Sequence, residues 1–362
     1  IASILIAAGW IGAGLAASLP VLYVSYAIGG VGTGAVYGAC IGLALKWFPD
    51  RRGLCVGVVA GSYGFGTALT AIPISNMIET SGYAAAFIVW GVVQGVAVLA
   101  AAQFLSMPPG GWAPADRRPT KTQTRVQQSD RNYTPREMVR TPSFYALYLM
   151  MTIVAFSGLM ITAQLRPIAT TYGANTYIVF GSLTALNLAL TLDRVMNGLA
   201  RPFFGWVSDH LGRYDTMALA FGLGGVTIAA LAMLVHRPLA FALLTGLSFF
   251  AWGEIYSLFP SAIADVYGSK YATTNYGIQY TSKGLASLLA APAASWVQES
   301  TGSWLPVLWA AVAFNLIAAA LAVVWLKPMV RRLLAAQQNV EPTNTPTNEN
   351  QPHAAACLYP NK

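Results

Sequence analysis

Arg201 and Lys283, two cations set inside apolar segments, are the residues best placed to do chemistry. Arg201 belongs to the stretch Asp193 to Arg213, whose first half closes a long apolar run yet carries Asp193, Arg194 and Arg201. A cation just inside an apolar helix is costly in a bilayer and marks a site unless it reaches the headgroups. The apolar run continues about a turn and a half beyond Arg201. Lys283 stands about eight residues into its own run, roughly 12 Å from the end at 1.5 Å per residue, too deep for easy snorkelling. A bound carboxylate would compensate such a charge, and so would an internal partner such as Glu254 or Asp193. Arginine offers a bidentate fork and lysine a point charge, so the two together match a dianion of two carboxylates in number. Arg194 precedes Arg201 by seven residues on nearly the same helix face, about 10 Å away. It reads as a second anion contact, a gate or one half of a local pair.

The second half of that stretch holds Gly205, Ser208, Asp209, Gly212 and Arg213 and reads as a glycine-rich polar turn. Its glycines allow a tight turn, and Asp209 can cap a following helix or pair with Arg213. Ser208, Asp209 and His210 name a hydrolytic triad, but adjacent residues on a turn cannot relay a proton from nucleophile to base.

The elements that position these residues follow from composition. Of 362 residues, 56% are hydrophobic and only 9% charged, where a soluble domain carries about 25%. Mean hydropathy is +0.53, and apolar runs of about 20 residues recur along the chain, each long enough to cross a bilayer. This is an all-α polytopic membrane protein whose first partner is the lipid bilayer. The formal charge of +8 falls between apolar spans rather than on one folded face, so it reads as a topology signal and not as a nucleic-acid surface. Cys40, Cys55 and Cys357 are too far apart for a disulfide framework or a metal site. No metal and no cofactor is expected.

In chain order, spans are predicted over 1–19, 21–48, 54–77 and 84–105, then 144–165, 177–207, 216–235, 238–264, 275–297 and 305–326. The division is an N-terminal half over 1–106, a connector over 107–142, a six-helix half over 143–327 and a disordered polar tail over 328–362. The connector is basic, with Arg117, Arg118, Lys121, Arg125, Arg131, Arg136 and Arg140. Gly30, Gly34 and Gly38 share one helix face around Tyr37, which fills a packing gap or faces a ligand. Lysine and arginine concentrate in every second loop, at 46–52, 107–140, 208–214 and 268–271, and again at 327–332 after the last span. By the positive-inside rule these loops, the connector and the C-terminus are cytoplasmic. The chain opens inside an apolar run without a methionine, which reads as six plus six helices with the first two missing. Such half-repeats build many transporters, with substrate near the midplane. A fragment of ten spans is expected not to transport by itself.

Gly205 to Arg213, G-W-V-S-D-H-L-G-R, resembles the loop signature G-x-x-x-D-x-x-G-R of the major facilitator superfamily. Its role there is conformational. Three longer blocks, N-G-L-A-R-P-F-F-G-W-V-S-D from Asn197, W-G-E-I-Y-S-L-F-P from Trp252 and Y-A-T-T-N-Y-G-I-Q-Y-T-S-K-G-L-A-S from Tyr271, resemble the oxalate/formate antiporter family, a branch related to the monocarboxylate transporters. The resemblance implies a dianion held by an arginine matching Arg201 and a lysine matching Lys283. It places aromatics of the site at Tyr37, Tyr63, Trp252 and Tyr256, with Arg194, Asn197 and Tyr280 as secondary candidates. Trp252 and Tyr256, four apart, share a helix face, whereas Glu254 points elsewhere and serves packing.

The activity so implied is exchange of oxalate for formate by alternating access in a bacterial inner membrane, by a monomer. Such exchange moves net charge, and decarboxylation of the imported oxalate would consume a proton. A lactate- or pyruvate-type permease, proton-coupled or not, needs one fixed cation, so Lys283 is the discriminating residue. A membrane sensor would carry a regulatory domain. An enzyme is excluded by the lack of a metal pattern, an activated nucleophile or a glycine loop after a strand.

Overall fold

The computed structural model of the chain describes residues 1–109, 112, 126, 128–129 and 131–338, apart from the side chain of Ala68. Arg117, Arg118, Lys121, Arg125, Cys357 and the tail from 339 onward lie outside the described residues.

The first half comprises α1 (Ala2–Gly14), α2 (Leu19–Trp47) and α3 (Arg52–Ala102). Continuous helical bonding hides a reversal in α3 at Gly82, whose φ of 80° only glycine adopts readily. Residues 84–95 then run back antiparallel to α1, with Ala84 beside Gly14 and Gly95 beside Ala7. The two spans expected over 54–77 and 84–105 are therefore present. The connection between them shrinks to one non-helical residue, Gly82.

After the short helix α4 (Pro135–Met138), the second half comprises α5 (Pro142–Thr171), α6 (Ala185–Leu211), α7 (Arg213–Leu234), α8 (Pro238–Trp252), α9 (Ile255–Tyr267), α10 (Ala272–Thr301) and α11 (Leu305–Leu321). A π turn over Ala322–Leu326 leads into α12 (Lys327–Gln338). Taking α8–α9 and α11–α12 as single crossings gives six segments here and four before the connector. Among the described residues, and with those pairs joined, six helices are long and apolar enough to cross a bilayer, and the reversal at Gly82 makes α3 long enough for two crossings. Helices α6 and α10 carry the charged and amide side chains, and α1 is shorter.

Three expectations require correction. The span expected from residue 177 begins instead with a hairpin, β1 (Ile178–Phe180) against β2 (Leu183–Thr184), and helix starts only where the Thr184 hydroxyl accepts from Asn187 N–H. The stretch Gly205 to Arg213 is helical through Leu211, and the turn narrows to Gly212 at φ 103°. The tail expected to be disordered from 328 starts as α12, because Val330 and Leu334 bury against the core and Lys327 pairs with Asp215 at 2.5 Å.

The end of the connector is bonded in place. Tyr133 N–H donates to Tyr267 O, and Asn132 Oδ1 accepts from Lys270 N–H, at 2.9 Å each. At α4, Thr134 and Glu137 form a reciprocal capping box. Backbone and hydroxyl donors of Thr134, then Arg131, pull the Glu137 carboxyl down to about 2, so this cap stays charged across ordinary pH.

The two halves close on each other at the face that bears the basic loops. Asp209 accepts from Gly53 N–H and Leu54 N–H at 3.0 and 2.8 Å, capping α3 across the half-to-half boundary rather than the helix that follows it. Arg213 binds Asp209 and Asp265, each at 2.7 Å, and Arg52 binds Asp265 at 2.8 Å. All four side chains are buried. Gly53 and Gly205 meet backbone to backbone beneath them, and a Cβ on either would overlap the other.

Candidate functional site

Arg201 occupies the middle of α6. Its Nη2 donates to Asn197 Oδ1, one turn earlier, at 2.8 Å, and its Nη1 to Ala60 O of α3 at 2.5 Å. Its guanidinium carbon stands 4.1 Å from the centroid of the Tyr256 ring, and its Nε is enclosed without a hydrogen-bond partner. Lys283 projects from α10. Its Nζ lies 5.2 Å from the Tyr256 centroid and 5.4 Å from that of Tyr280, and donates to Tyr280 Oη at 3.4 Å. Both cations therefore lean on one ring, no more than about 9 Å apart. Ring faces offset part of each charge, by about 0.5–2 kcal/mol per contact. Among the described residues neither cation has a carboxylate partner, so the internal salt bridge from Lys283 to Glu254 or Asp193 does not form.

The aromatic side chains expected at the site converge. Tyr37 packs on Tyr63 and Tyr280 with centroids 5.5 and 5.8 Å apart, and Trp252 packs on Tyr256 at 5.8 Å. One cavity of about 560 Å³ is lined by Arg201, Lys283, Tyr37, Tyr63, Trp252 and Tyr256, and by Asn197, Tyr280 and Arg194 as well. Gly205, Asp209, Gly212 and Arg213 do not line it; they belong to the closed face. Glu254 is fully buried, does not line the cavity, and its carboxyl meets no other residue's donor.

Trp252 is placed by two features that the sequence conceals. The helix expected to run unbroken over 238–264 is interrupted at Gly253 and Glu254, where Gly253 lies hard against the backbone of Asn197 and Ala200 Cβ. Trp252 Nε1–H donates to Val154 O at 2.9 Å, so its indole is a wall rather than a free donor. The ring lies flat on Gly158, where any Cβ would overlap it. The variant Gly158→Val is expected to displace Trp252 and weaken ligand binding about tenfold, the usual reach of overpacking by 1–3 kcal/mol. An equilibrium titration of ligand against both proteins checks this, and unchanged affinity would remove Trp252 from the site's wall.

Sequence reasoning missed Trp10, Ser25, Tyr26, Thr33, Thr67 and Thr162, which line the cavity from α1, α2, α3 and α5. Helical spacing from Tyr37 on α2 and Tyr63 on α3 could have signalled Ser25, Tyr26, Thr33 and Thr67, whereas Trp10 and Thr162, on helices without a site candidate, carried no such signal. The arrangement can bind and desolvate a small planar anion between two cations and several phenol rings. Its polar groups are placed so that they could orient a ligand; among the described residues no metal-binding cluster occurs.

The family model for the Major Facilitator Superfamily matches residues 1–192 and 168–352. The oxalate:formate antiporter of Oxalobacter formigenes is 34% identical over 285 residues, taking in 78% of this chain and 64% of that protein. Rat monocarboxylate transporter 12 is 23% identical, over 83% of this chain and 65% of its own length. The chain thus spans just under two thirds of each of these relatives. Among solved structures, the human organic anion transporter MFSD10 superposes with a TM-score of 0.67 at 15% identity, over 89% of this chain and 75% of that one. The family model takes in nearly the whole chain, and the chain belongs to the Major Facilitator Superfamily.

Proposed function

We infer that the protein exchanges small carboxylates, oxalate against formate, by alternating access, with the dianion bridging Arg201 and Lys283. The observation that carries this reading is a pair of cations over a single tyrosine ring, without carboxylate partners among the described residues, in one aromatic cavity. A planar dianion supplies one carboxylate to the guanidinium fork and one to the ammonium, and no further protein charge is required. The relative named as an oxalate:formate antiporter supports the same substrate class. In this reading the basic face, the connector and the C-terminus are cytoplasmic in a bacterial inner membrane, and the chain acts as a monomer.

The names of the monocarboxylate relatives favour a second reading, transport of lactate- or pyruvate-like monoanions. The test uses the product of the complete gene in formate-loaded proteoliposomes, following labelled oxalate with lactate as competitor. Uptake that depends on internal formate and resists lactate is the expected result. Weak oxalate uptake with strong competition by lactate would overturn it in favour of the monoanion.

A further inference from the structure

The cavity does not end at the two cations. From Arg201 and Lys283 it extends away from the closed basic face, past Thr33 and Gly30 of α2 to Arg194, Tyr26 and Trp10. Arg194 lies seven residues before Arg201 on α6, so about 10 Å farther out along the helix. On α2, which also runs toward the closed face, Gly30 lies seven residues before Tyr37 and so at about the same level. There the wall opposite carries no side chain, since a Cβ at Gly30 or Gly34 would meet nothing within 4 Å. Trp10 reaches this level too, because Gly9 packs directly against Gly29.

Two groups at this level are unspent. Arg194 is exposed and makes no hydrogen bond or ion pair among the described residues, not even with neighbouring Asp193. Trp10 Nε1–H is enclosed and has no hydrogen-bond partner, although its ring is fixed by stacking on Phe87 at 5.6 Å and by the edge of Tyr26 at 5.4 Å. A guanidinium and an indole N–H are both donors suited to a carboxylate. With Asp193 also lining it, the cavity holds three cations to one carboxylate, a surplus of positive charge spread along its length rather than gathered at its floor. Such a gradient draws an anion inward in steps and raises the encounter rate.

We propose that Arg194, with the indole N–H of Trp10, forms an outer carboxylate station that captures the anion before it passes to Arg201 and Lys283. Asp193 beside it weakens the station and lets the anion leave inward. This rests on reading the inner cavity as a carboxylate site, and the test separates the two. The complete gene product in proteoliposomes is assayed for initial oxalate uptake over a range of salt, and in detergent for equilibrium oxalate binding. Arg194→Gln is expected to slow uptake about tenfold at low salt and to flatten its salt dependence, while equilibrium affinity stays within about twofold. Arg194→Lys keeps most of the rate, and Asp193→Asn raises it, a change of opposite sign that misfolding cannot mimic. Parent-like rate and salt dependence in Arg194→Gln, with oxalate still bound, would overturn the outer station and leave the inner site standing. Absence of oxalate binding by the parent would overturn both.

Discussion

Replacing Lys283 by glutamine should lower oxalate affinity about a hundredfold while changing formate affinity by less than about fivefold. The asymmetry follows from the geometry. A dianion engages both cations, and loss of one charge-assisted contact in a desolvated cavity costs about 1.5–3 kcal/mol. A monoanion needs one cation, and the Arg201 fork remains, held by Asn197 Oδ1 and Ala60 O. Glutamine is one bond shorter than lysine but keeps a donor and most of the stem, so the packing against Tyr280 largely survives and the difference reports charge. Arg201→Lys should impair both anions, because a point charge cannot reproduce the fork or the close stacking on Tyr256. Equilibrium binding of the two anions to parent and variants measures this directly. Equal losses for oxalate and formate in Lys283→Gln would dismantle the two-cation site.

The second large effect is expected at the closed face. Asp265 bridges Arg52 and Arg213, and all three are buried. Asp265→Asn leaves two buried guanidinium groups facing a neutral amide, and stranding a buried charge in this way costs about 3–5 kcal/mol. Because the network joins α3 of one half to α6, α7 and α9 of the other, the loss weakens closure of that face. Cys55, one turn into α3 and half-buried, is a native reporter. In a background lacking the other two cysteines, its maleimide labelling should accelerate at least tenfold in Asp265→Asn, as a shift of about 1.4 kcal/mol already gives tenfold in an equilibrium. Parent-like labelling would mean that the glycine contacts alone hold the face shut.

Much of this was legible from residue types. Arg201 and Lys283 stood out because a cation inside an apolar run has few bland explanations, and the rings around them followed from family resemblance. The crossings were legible because each apolar run has the length a bilayer demands. What was hidden depends on contacts distant in sequence. Asp209 reads locally as a partner of Arg213, and it is one, yet its second role is to cap a helix more than 150 residues away. Asp265 sits in an ordinary helix end and acquires its meaning only from Arg52 and Arg213. The break at Gly253 looks like a tolerated glycine in an apolar run, since the cause, the backbone of Asn197 pressed against it, lies on another helix. The hairpin before α6 escaped because Ile178 and Val179 are as apolar as any span residue. Their β-branching, read with Gly181, was the only hint.

That Arg201 and Lys283 pair with no carboxylate among the described residues bears on the unloaded protein. If the cavity seals with nothing bound, both cations are shut away from water with ring faces, a hydroxyl of Tyr280 and the oxygens of Asn197 and Ala60 as their nearest partners. An isolated charge moved into such surroundings is heavily penalised. A bound dianion cancels both charges and a bound monoanion one, so occlusion becomes easier in that order. In the exchange proposed above, the empty form would be the slowest to cross, and a carrier that returned only when loaded would trade one anion for another instead of leaking either.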